Sequence, residues 1–324
     1  MEPTFPLFRL PENVIIEVIK NLWMNKLFEF SLISTKTKNL VASLGIEANY
    51  VRIGISRVVD VTVYYAPYIM SFLFYNNSVD QAALIHLDSN QPISAYLLYE
   101  RRIVRSSTPF SFKNWLDQIK TVFCYSKPPK VDFMPGNVQF EMKSLKNTIK
   151  SVNQLYVSGN NTQSRNRELL EHFKNVNELS LTTNPFEEAC EVQKYFIQNF
   201  KSIVFHDDVS LDDMLLINSE HVQFTRSISQ KQFNQFLKHW IRGSNPRLQR
   251  MFLPIDIADL VNGKVYLKGI NCMEMSEEAK RDICRNRSVP NNVEMVQIRR
   301  NDGTTAVIAT EDFGTPLYLR FYAW

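Results

Sequence analysis

The sequence predicts an α/β protein in which a helical N-terminal segment is followed by repeated strand–helix units and β-rich flanking segments. Three observations lead to this prediction. Apolar residues recur at helical spacing in residues 10–45, and one pattern of apolar and polar residues recurs along residues 152–256. Residues 46–75 and 293–310 contain the apolar alternation that is typical of strands. Helices are therefore expected first, and mixed strands and helices after them.

The composition favours a folded intracellular protein. The 324 residues include 37 basic and 33 acidic side chains, and a net charge of +4 is too small to predict nucleic-acid binding by itself. The four cysteines form no CxxC pair, which argues against a zinc ribbon or a redox motif and suits a reducing compartment. We expect no secretory signal, because residues 1–10 contain no sustained apolar run. We expect no membrane span, because Pro67 interrupts the longest apolar stretch. The predicted location is the cytoplasm, the nucleus or both.

Residues 10–45 predict three short helices, the third capped by Ser34 or Thr35 and ended by Gly45. Their apolar residues are, in chain order, Val14, Ile15, Val18, Ile19 and Leu22, then Leu27, Phe28, Phe30 and Leu32, then Leu40, Val41 and Leu44. Three short helices make a poor independent core. The lead-in adds Phe5 and Phe8 to the apolar residues. This surplus predicts an interface with another protein; packing of the three helices on the chain's own body is the alternative.

These residues resemble an F-box. The resemblance rests on Leu10-Pro11, on the stripe of the first helix, and on Leu27-x-x-Phe30-Ser31-Leu32-Ile33-Ser34 followed by a basic stretch. In the F-box family, three helices bind a Skp-type linker protein that joins cullin and a RING subunit. The resemblance implies that six residues face the linker or support that face: Leu10, Pro11, Val14, Ile15, Leu27 and Ile33. The sequence departs from the family at residues 23–26, where Trp-Met-Asn-Lys replaces the usual acidic, turn-forming residues.

A second pattern recurs in the middle of the chain at steps of about 20 to 29 residues, the length of leucine-rich repeats. Each full copy has an apolar residue, two variable positions, an apolar–x–apolar strand, two more variable positions, and Asn or Asp, as in Val152-x-x-Leu155-x-Val157-x-x-Asn160. The copies begin at Val152, Val176, Phe200, Val222 (weaker) and Leu248. Helices are predicted between the strands, at residues 166–173, 187–200 and 229–240. The pattern predicts an irregular leucine-rich-repeat-like αβ solenoid. An unrelated α/β domain with coincidental spacing is the alternative.

In such a solenoid, the residues between and after the apolar strand positions project from the strand face, where repeat proteins bind ligands. Here they are Tyr156, Ser158, Ser180, Thr182, Val204, His206, Gln223 and Thr225. The set is mixed and largely polar, with no single sign of charge. It therefore predicts a face that binds a peptide or protein target and not a phosphate backbone.

The flanking segments predict further strands. Alternation at residues 51–63 indicates strands, residues 94–104 indicate one more strand, and residues 111–123 indicate a helix. Near the C-terminus, Asn301-Asp302-Gly303 separates two alternating runs and predicts a hairpin of residues 293–300 and 304–310. A last strand at residues 317–324 is expected to cover an open edge of the solenoid as a cap.

Three motifs in the C-terminal part of the chain resemble a narrower class of F-box proteins. They are the Lys238–Leu248 stretch, the Ile298–Thr304 turn and the terminal Phe-Tyr-x-Trp. With the F-box, they are similar to the nematode-expanded F-box proteins that have a type 2 F-box-associated domain. This resemblance implies a receptor whose F-box-associated module binds a target, and it implies no catalytic residues.

No catalytic pattern stands out. The phosphate-binding motifs GxxxxGK[ST] and GxGxxG, the zinc-protease motif HExxH and the hydrolase motif GxSxG are absent from the sequence. His206-Asp207-Asp208 could bind a metal or act as a base, but we interpret His206 as part of the strand face and Asp208 as the turn residue. Arg299 and Arg300 are interpreted as a solvated face. We predict no enzyme activity, no cofactor and no metal.

The combined prediction is a substrate-receptor subunit of an SCF-type cullin-RING ubiquitin ligase. Its segments are an F-box at 1–45, a β-rich mixed region at 46–145, the repeat-like region at 146–262 and a C-terminal cap at 263–324. The predicted partners are the Skp-type linker, through it cullin and RING subunits, and an unidentified target protein, with no membrane and no nucleic acid. The alternatives are a scaffold that uses the F-box outside a ligase, and a repeat protein that binds protein or nucleic acid.

Overall fold

The structure is a computed structural model that describes residues 7–74, 84–106, 108–256, 264–287, 290, 293–312 and 317–324. Its contacts divide the chain into two compact units. The first contains the described residues up to Tyr156 together with Glu168–Asn175, and the second contains the described residues of Val157–Arg167 and Val176–Trp324. Helices and strands are mixed in both, as the predicted α/β class requires. Phe5 of the apolar lead-in lies outside the described residues.

The first unit begins with a 3-10 turn at Leu7–Arg9 and three helices: α1 (Glu12–Ile19), α2 (Met24–Ser31) and α3 (Thr35–Ala42). Ser34 caps α3, because its hydroxyl accepts a hydrogen bond from the Thr37 amide and the Thr37 hydroxyl accepts one from the Ser34 amide. Gly45 follows with a φ of 66°, a left-handed conformation that glycine adopts without strain. The sequence signals for the start and end of this helix are therefore correct.

A sheet follows in the same unit, in the order β7-β6-β1-β2-β3-β4-β5, although Val157, the last residue of β7, belongs to the second unit. Its elements are β1 (Tyr50–Ile55), β2 (Val59–Tyr65), β3 (Tyr68–Phe74), β4 (Ala95–Leu97), β5 (Arg102–Val104), β6 (Lys130–Phe133) and β7 (Gln154–Val157), with α4 (Phe112–Val122) and α5 (Met142–Ile149). Strands β1 to β5 pair antiparallel in sequence, while β6 pairs parallel with β1. Strand structure is present in residues 94–104 as predicted, but as two strands, because the chain reverses before β5 at Arg101, whose φ is 52°.

The second unit contains a sheet in the order β12-β13-β14-β15-β11-β10-β9-β8. Its strands are β8 (Glu178–Leu181), β9 (Ser202–Phe205), β10 (His221–Phe224), β11 (Arg250–Ile255), β12 (Met273–Glu274), β13 (Glu294–Arg299), β14 (Thr305–Asp312) and β15 (Leu317–Ala323). The helices that follow β7 in the chain are α6 (Gln163–His172), α7 (Ala189–Phe196), α8 (Leu211–Leu216), α9 (Gln230–Arg242) and α10 (Glu277–Arg287). Neighbours from β8 to β11 pair parallel, which requires the helical crossovers between them.

The register of the parallel strands explains the recurring apolar pattern. Leu179, Ile203, Val222 and Met251 lie opposite one another on successive strands, and all four are buried. The next apolar positions, Leu181, Phe205 and Phe224, form a second buried row. Helix α9 packs its apolar side inward, with Trp240 fully buried. The recurring spacing of apolar residues in the sequence therefore corresponds to the inward-facing rows of a parallel sheet.

The C-terminal strands cover the edge at β11. The predicted hairpin is confirmed, since β13 and β14 pair antiparallel across the Asn301-Asp302-Gly303 turn, and β15 pairs with both β14 and β11. The solvated position predicted for Arg300 is wrong. Its side chain is only 7% exposed, its guanidinium lies 5.5 Å from the Trp240 ring centroid, and it donates to the carbonyl of Gly243. The contact fastens the hairpin to the C-terminal end of α9.

Candidate interaction surfaces

Helix α1 turns apolar side chains to two sides. Ile15 and Ile19 are buried, whereas Val14, Val18 and Leu22 are exposed. The exposed three follow one another four residues apart, so they form one row along the helix and the turn after it. The predicted stripe therefore contains one half that packs within the first unit and one half that stays in solvent.

Further exposed apolar residues lie on the segments around α1. Phe8 stacks on Phe30 with ring centroids 6.1 Å apart, and the Lys36 ammonium lies 5.6 Å from the Phe8 ring. Ile33, between α2 and α3, is 55% exposed. We call the following set the exposed helix patch: Phe8, Pro11, Val14, Val18, Leu22 and Ile33. Clusters of exposed apolar residues in a folded chain mark sites of interaction.

The six residues that the F-box resemblance selects fall into two groups. Pro11, Val14 and Ile33 are exposed and Leu10 is half-buried, so these four can contact a partner directly. Ile15 and Leu27 are buried and can only support such a face from beneath. Phe8, Val18 and Leu22 are exposed apolar residues that the selection leaves out.

The three helices are fastened to the rest of the first unit by their buried side. The Phe28 ring of α2 lies 4.7 Å from the Phe72 ring of β3. Gln118 of α4 donates from its amide nitrogen to the carbonyl oxygen of Ser31, at 3.0 Å, and to its hydroxyl, at 2.8 Å. Because all four residues are buried, these contacts exclude water and hold α2 in one position.

The stretch that departs from the F-box pattern also has contacts of its own. Trp23 is the N-cap of α2, makes no capping hydrogen bond with its side chain, and is 81% exposed. Asn25 donates to the carboxylate of Glu100, which pairs with Arg102, and Arg102 also pairs with Glu29. This chain of polar contacts connects the β5 end of the β4–β5 turn to α2.

The strand face of the second unit has a defined register. Ser180, Val204, Gln223 and Phe252 lie opposite one another on β8 to β11, and Arg320 of β15 follows in the same row. Val204, Gln223 and Phe252 are half-buried. The row alternates with the inward apolar rows, as the pleat of the strands requires.

The structure places the eight predicted face residues in different environments. Val204, His206 and Gln223 are half-buried and Thr225 is exposed, while Tyr156, also half-buried, belongs to the first unit. Ser158 and Ser180 are buried, and Thr182 is half-buried with its hydroxyl donating to the Val157 carbonyl at 3.0 Å. The accessible part of the face is therefore narrower than the sequence pattern predicts.

An aromatic and cationic group extends this face. The rings of Phe252 and Tyr318 stack with centroids 5.2 Å apart, and the Arg320 guanidinium lies 5.1 Å from the Phe252 ring. Arg320 also donates two hydrogen bonds to one Glu311 carboxylate oxygen, at 2.9 and 2.8 Å. The outward position of the fifth repeat, Phe252, and the alternation of the last strand were the sequence signals that could have identified this group.

The histidines of the face are partly shielded from water. Burial lowers the pKa of His206, and burial with the nearby Arg250 charge lowers the pKa of His221. Asp207 accepts hydrogen bonds from the backbone amides of Asn184 and Asp208, both at 2.9 Å. The turn residue is therefore Asp207, and the interpretation of Asp208 in that role is wrong.

Two kinds of feature are absent from the described residues. No group of three or more His, Cys, Asp or Glu side chains in that part of the chain could hold a metal ion. No described helix has the length and apolar character that crossing a membrane requires.

Residues 191–253, from α7 to β11, match the protein family described as F-box associated. The chain is 22% identical, over 251 residues, to the F-box associated domain-containing protein sdz-33 of Caenorhabditis elegans. That alignment covers 77% of this chain and 78% of the relative. No solved structure matches the chain. The two matches confirm the predicted resemblance to nematode proteins with an F-box-associated domain.

Proposed function

We propose that the chain is the substrate-receptor subunit of an SCF-type cullin-RING ubiquitin ligase. In this proposal α1 to α3 are an F-box that binds a Skp-type linker protein, and the repeat-like strand face of the second unit binds a target protein. The chain contributes no catalytic step. Other subunits transfer ubiquitin, and the receptor raises the effective concentration of the target beside them. Such a protein works inside the cell, in the cytoplasm, the nucleus or both.

The exposed helix patch is the observation that supports linker binding most directly. Its apolar side chains lie in solvent, although Ile15 and Ile19 of α1 are buried and α2 packs against β3 and α4. Burying such a patch against a partner removes apolar surface from water, which stabilises the complex by about 25 cal/mol for each Å² buried. The similarity to an F-box associated relative agrees with this role.

The matched substitutions Ile33→Asp and Ile197→Asp test the proposal. Each isoleucine is 55% exposed, but Ile33 belongs to the exposed helix patch and Ile197 follows α7 in the second unit. We expect the purified chain to form a stable complex with a nematode Skp-type linker in size-exclusion chromatography. Ile33→Asp should abolish the complex at micromolar concentrations, whereas Ile197→Asp should leave it intact.

Three results would count against the proposal. Failure of the unmodified chain to bind any tested Skp-type linker at micromolar concentrations would remove the F-box assignment. A complex with the linker that never recruits cullin in a pull-down would assign the chain to non-ligase scaffolds. Binding to nucleic acid that falls steeply with salt would favour the nucleic-acid alternative.

A further inference from the structure

A second apolar surface lies in the first unit beside the exposed helix patch. It is a groove of 590 Å³ between the α1–α2 turn, the β2–β3 turn and the β4–β5 turn. Three aromatic residues on its rim are strongly exposed: Trp23 at 81%, Tyr68 at 62% and Tyr99 at 68%. Exposed aromatic side chains around a groove are typical anchors of protein interfaces.

The groove is held open by contacts that the first unit makes internally. Tyr99 is carried by the β4–β5 turn, and Glu100 and Arg102 fasten that turn to α2. Tyr68 lies 5.8 Å from the Tyr65 ring, and Tyr65 lies 5.2 Å from the buried ring of Phe123. The walls are therefore positioned before any partner arrives, which lowers the entropy cost of binding.

The charged groups of the groove already have partners within the chain. The Lys20 ammonium lies 2.6 Å from the Glu17 carboxylate, and the Glu100 carboxylate pairs with Arg102 and Asn25. The groove therefore offers no unmatched charge among its described side chains and suits an apolar protein surface.

The groove is continuous with the exposed helix patch. Leu22 is the last member of the α1 row and also lines the groove, followed by Trp23. One apolar surface thus runs from Val14 through Val18 and Leu22 to the aromatic rim. A partner that covers the α1 row must end at or enter this groove.

We infer that the groove is part of the linker-binding surface, so that Tyr68 and Tyr99, which lie beyond the three helices, contact the Skp-type linker. The inference rests on the proposed function, because it assigns the groove to the partner of the exposed helix patch. It makes the β2–β3 and β4–β5 turns, together with the helices, one docking surface. The F-box pattern alone contains neither tyrosine.

Affinity of the full chain for a nematode Skp-type linker, measured by calorimetry, tests the inference. The double substitution Tyr68→Ala/Tyr99→Ala should weaken binding about tenfold or more, because aromatic anchors dominate such interfaces. Tyr68→Phe/Tyr99→Phe should bind nearly as the parent does, since the rings remain. Ile103→Ala is the control: Ile103 is 55% exposed on β5 but does not line the groove, and its loss should change affinity less than about twofold.

Radical footprinting of the unmodified complex gives a second measurement that needs no variant. Tyr68 and Tyr99 should be oxidised in the free chain and protected when the linker is bound. The inference is overturned if the parent binds the linker while both tyrosines stay reactive, or if the double alanine variant keeps its affinity for the linker. In that case, loss of target co-purification by the double alanine variant would assign the groove to the target. If the parent does not bind the linker, the proposed function itself fails.

Discussion

Replacing Phe28 with alanine is expected to destabilise the first unit as a whole, because Phe28 connects α2 to the sheet and to α4. The side chain is 1% exposed, and its ring lies 4.7 Å from Phe72 of β3 and 6.4 Å from Phe123 after α4. Truncating a buried phenylalanine costs about 3–5 kcal/mol, since lost burial and the remaining cavity add. That is a large part of the roughly 5–15 kcal/mol that stabilises a typical domain.

Hydrogen exchange and denaturant unfolding measure this effect. In Phe28→Ala, the amides of β3 and α4 should lose protection together with those of α2. The control is Val18→Ala: Val18 is exposed on α1, and its truncation should change the free energy of unfolding by no more than about 0.5 kcal/mol. A loss in Phe28→Ala below about 1 kcal/mol, or faster exchange confined to α1–α3, would refute the view that the helices and the sheet form one body.

Three further predictions concern charge and capping. Arg300→Ala should cost about 1.5–3 kcal/mol in chemical denaturation, because the Gly243 carbonyl loses its buried guanidinium donor, whereas the exposed Arg299→Ala should cost no more than about 0.5 kcal/mol; equal effects would contradict the assigned burial. Ser34→Ala should cost about 1 kcal/mol by removing the α3 cap, and an unchanged thermal midpoint would contradict that role. His206 and His221 have lowered pKa values in the folded chain, so the unfolded chain binds more protons and stability should fall as the pH drops below about 6.5. In thermal melts at about pH 7.5 and about pH 5.5, the His206→Gln/His221→Gln variant should show a smaller fall than the parent, and an identical fall would exclude these histidines as its cause.

Helix α1 illustrates how far the sequence can predict a surface. Its periodicity identifies the apolar residues, but the stripe from Val14 to Leu22 is wide enough to cover two sides of the helix. Only the contacts of Ile15 and Ile19 show which side packs within the unit. Periodicity measures the apolar width of a helix and contains no information about which protein covers it.

The repeat pattern predicts the strands of the second unit well and their outer face less well. Inward positions such as Leu179 and Ile203 need large apolar side chains, so they leave a clear signal. Outward positions are free to vary, and the pattern does not distinguish the buried Ser180 from the exposed Thr225. The contact of Arg300 with Trp240 could not be predicted, because the two residues are brought together only by tertiary packing.

Elements with weak apolar patterns were not predicted at all. Helix α10 is dominated by charged residues and buries only Cys284 among its residues, which packs with Met295 and Val307. Tyr68 and Tyr99 lie at strand ends and turns, where alternation gives no warning of a shared groove. Their proximity follows from strand pairing and from the contacts that fasten the β4–β5 turn to α2.

A comparison of α1 with α9 gives the strongest internal argument for a protein partner. The exposed residues within α9 are Lys231, Gln235, His239 and Arg242, all of them polar, and its apolar residues are turned inward. Helix α1 exposes Val14 and Val18 among its polar residues although Ile15 and Ile19 already supply its buried side. If α1 only packed within the first unit, its outer side would be expected to resemble that of α9. An apolar outer row is unfavourable in water unless another surface covers it, and its continuation through Leu22 to the groove indicates how far that surface should extend.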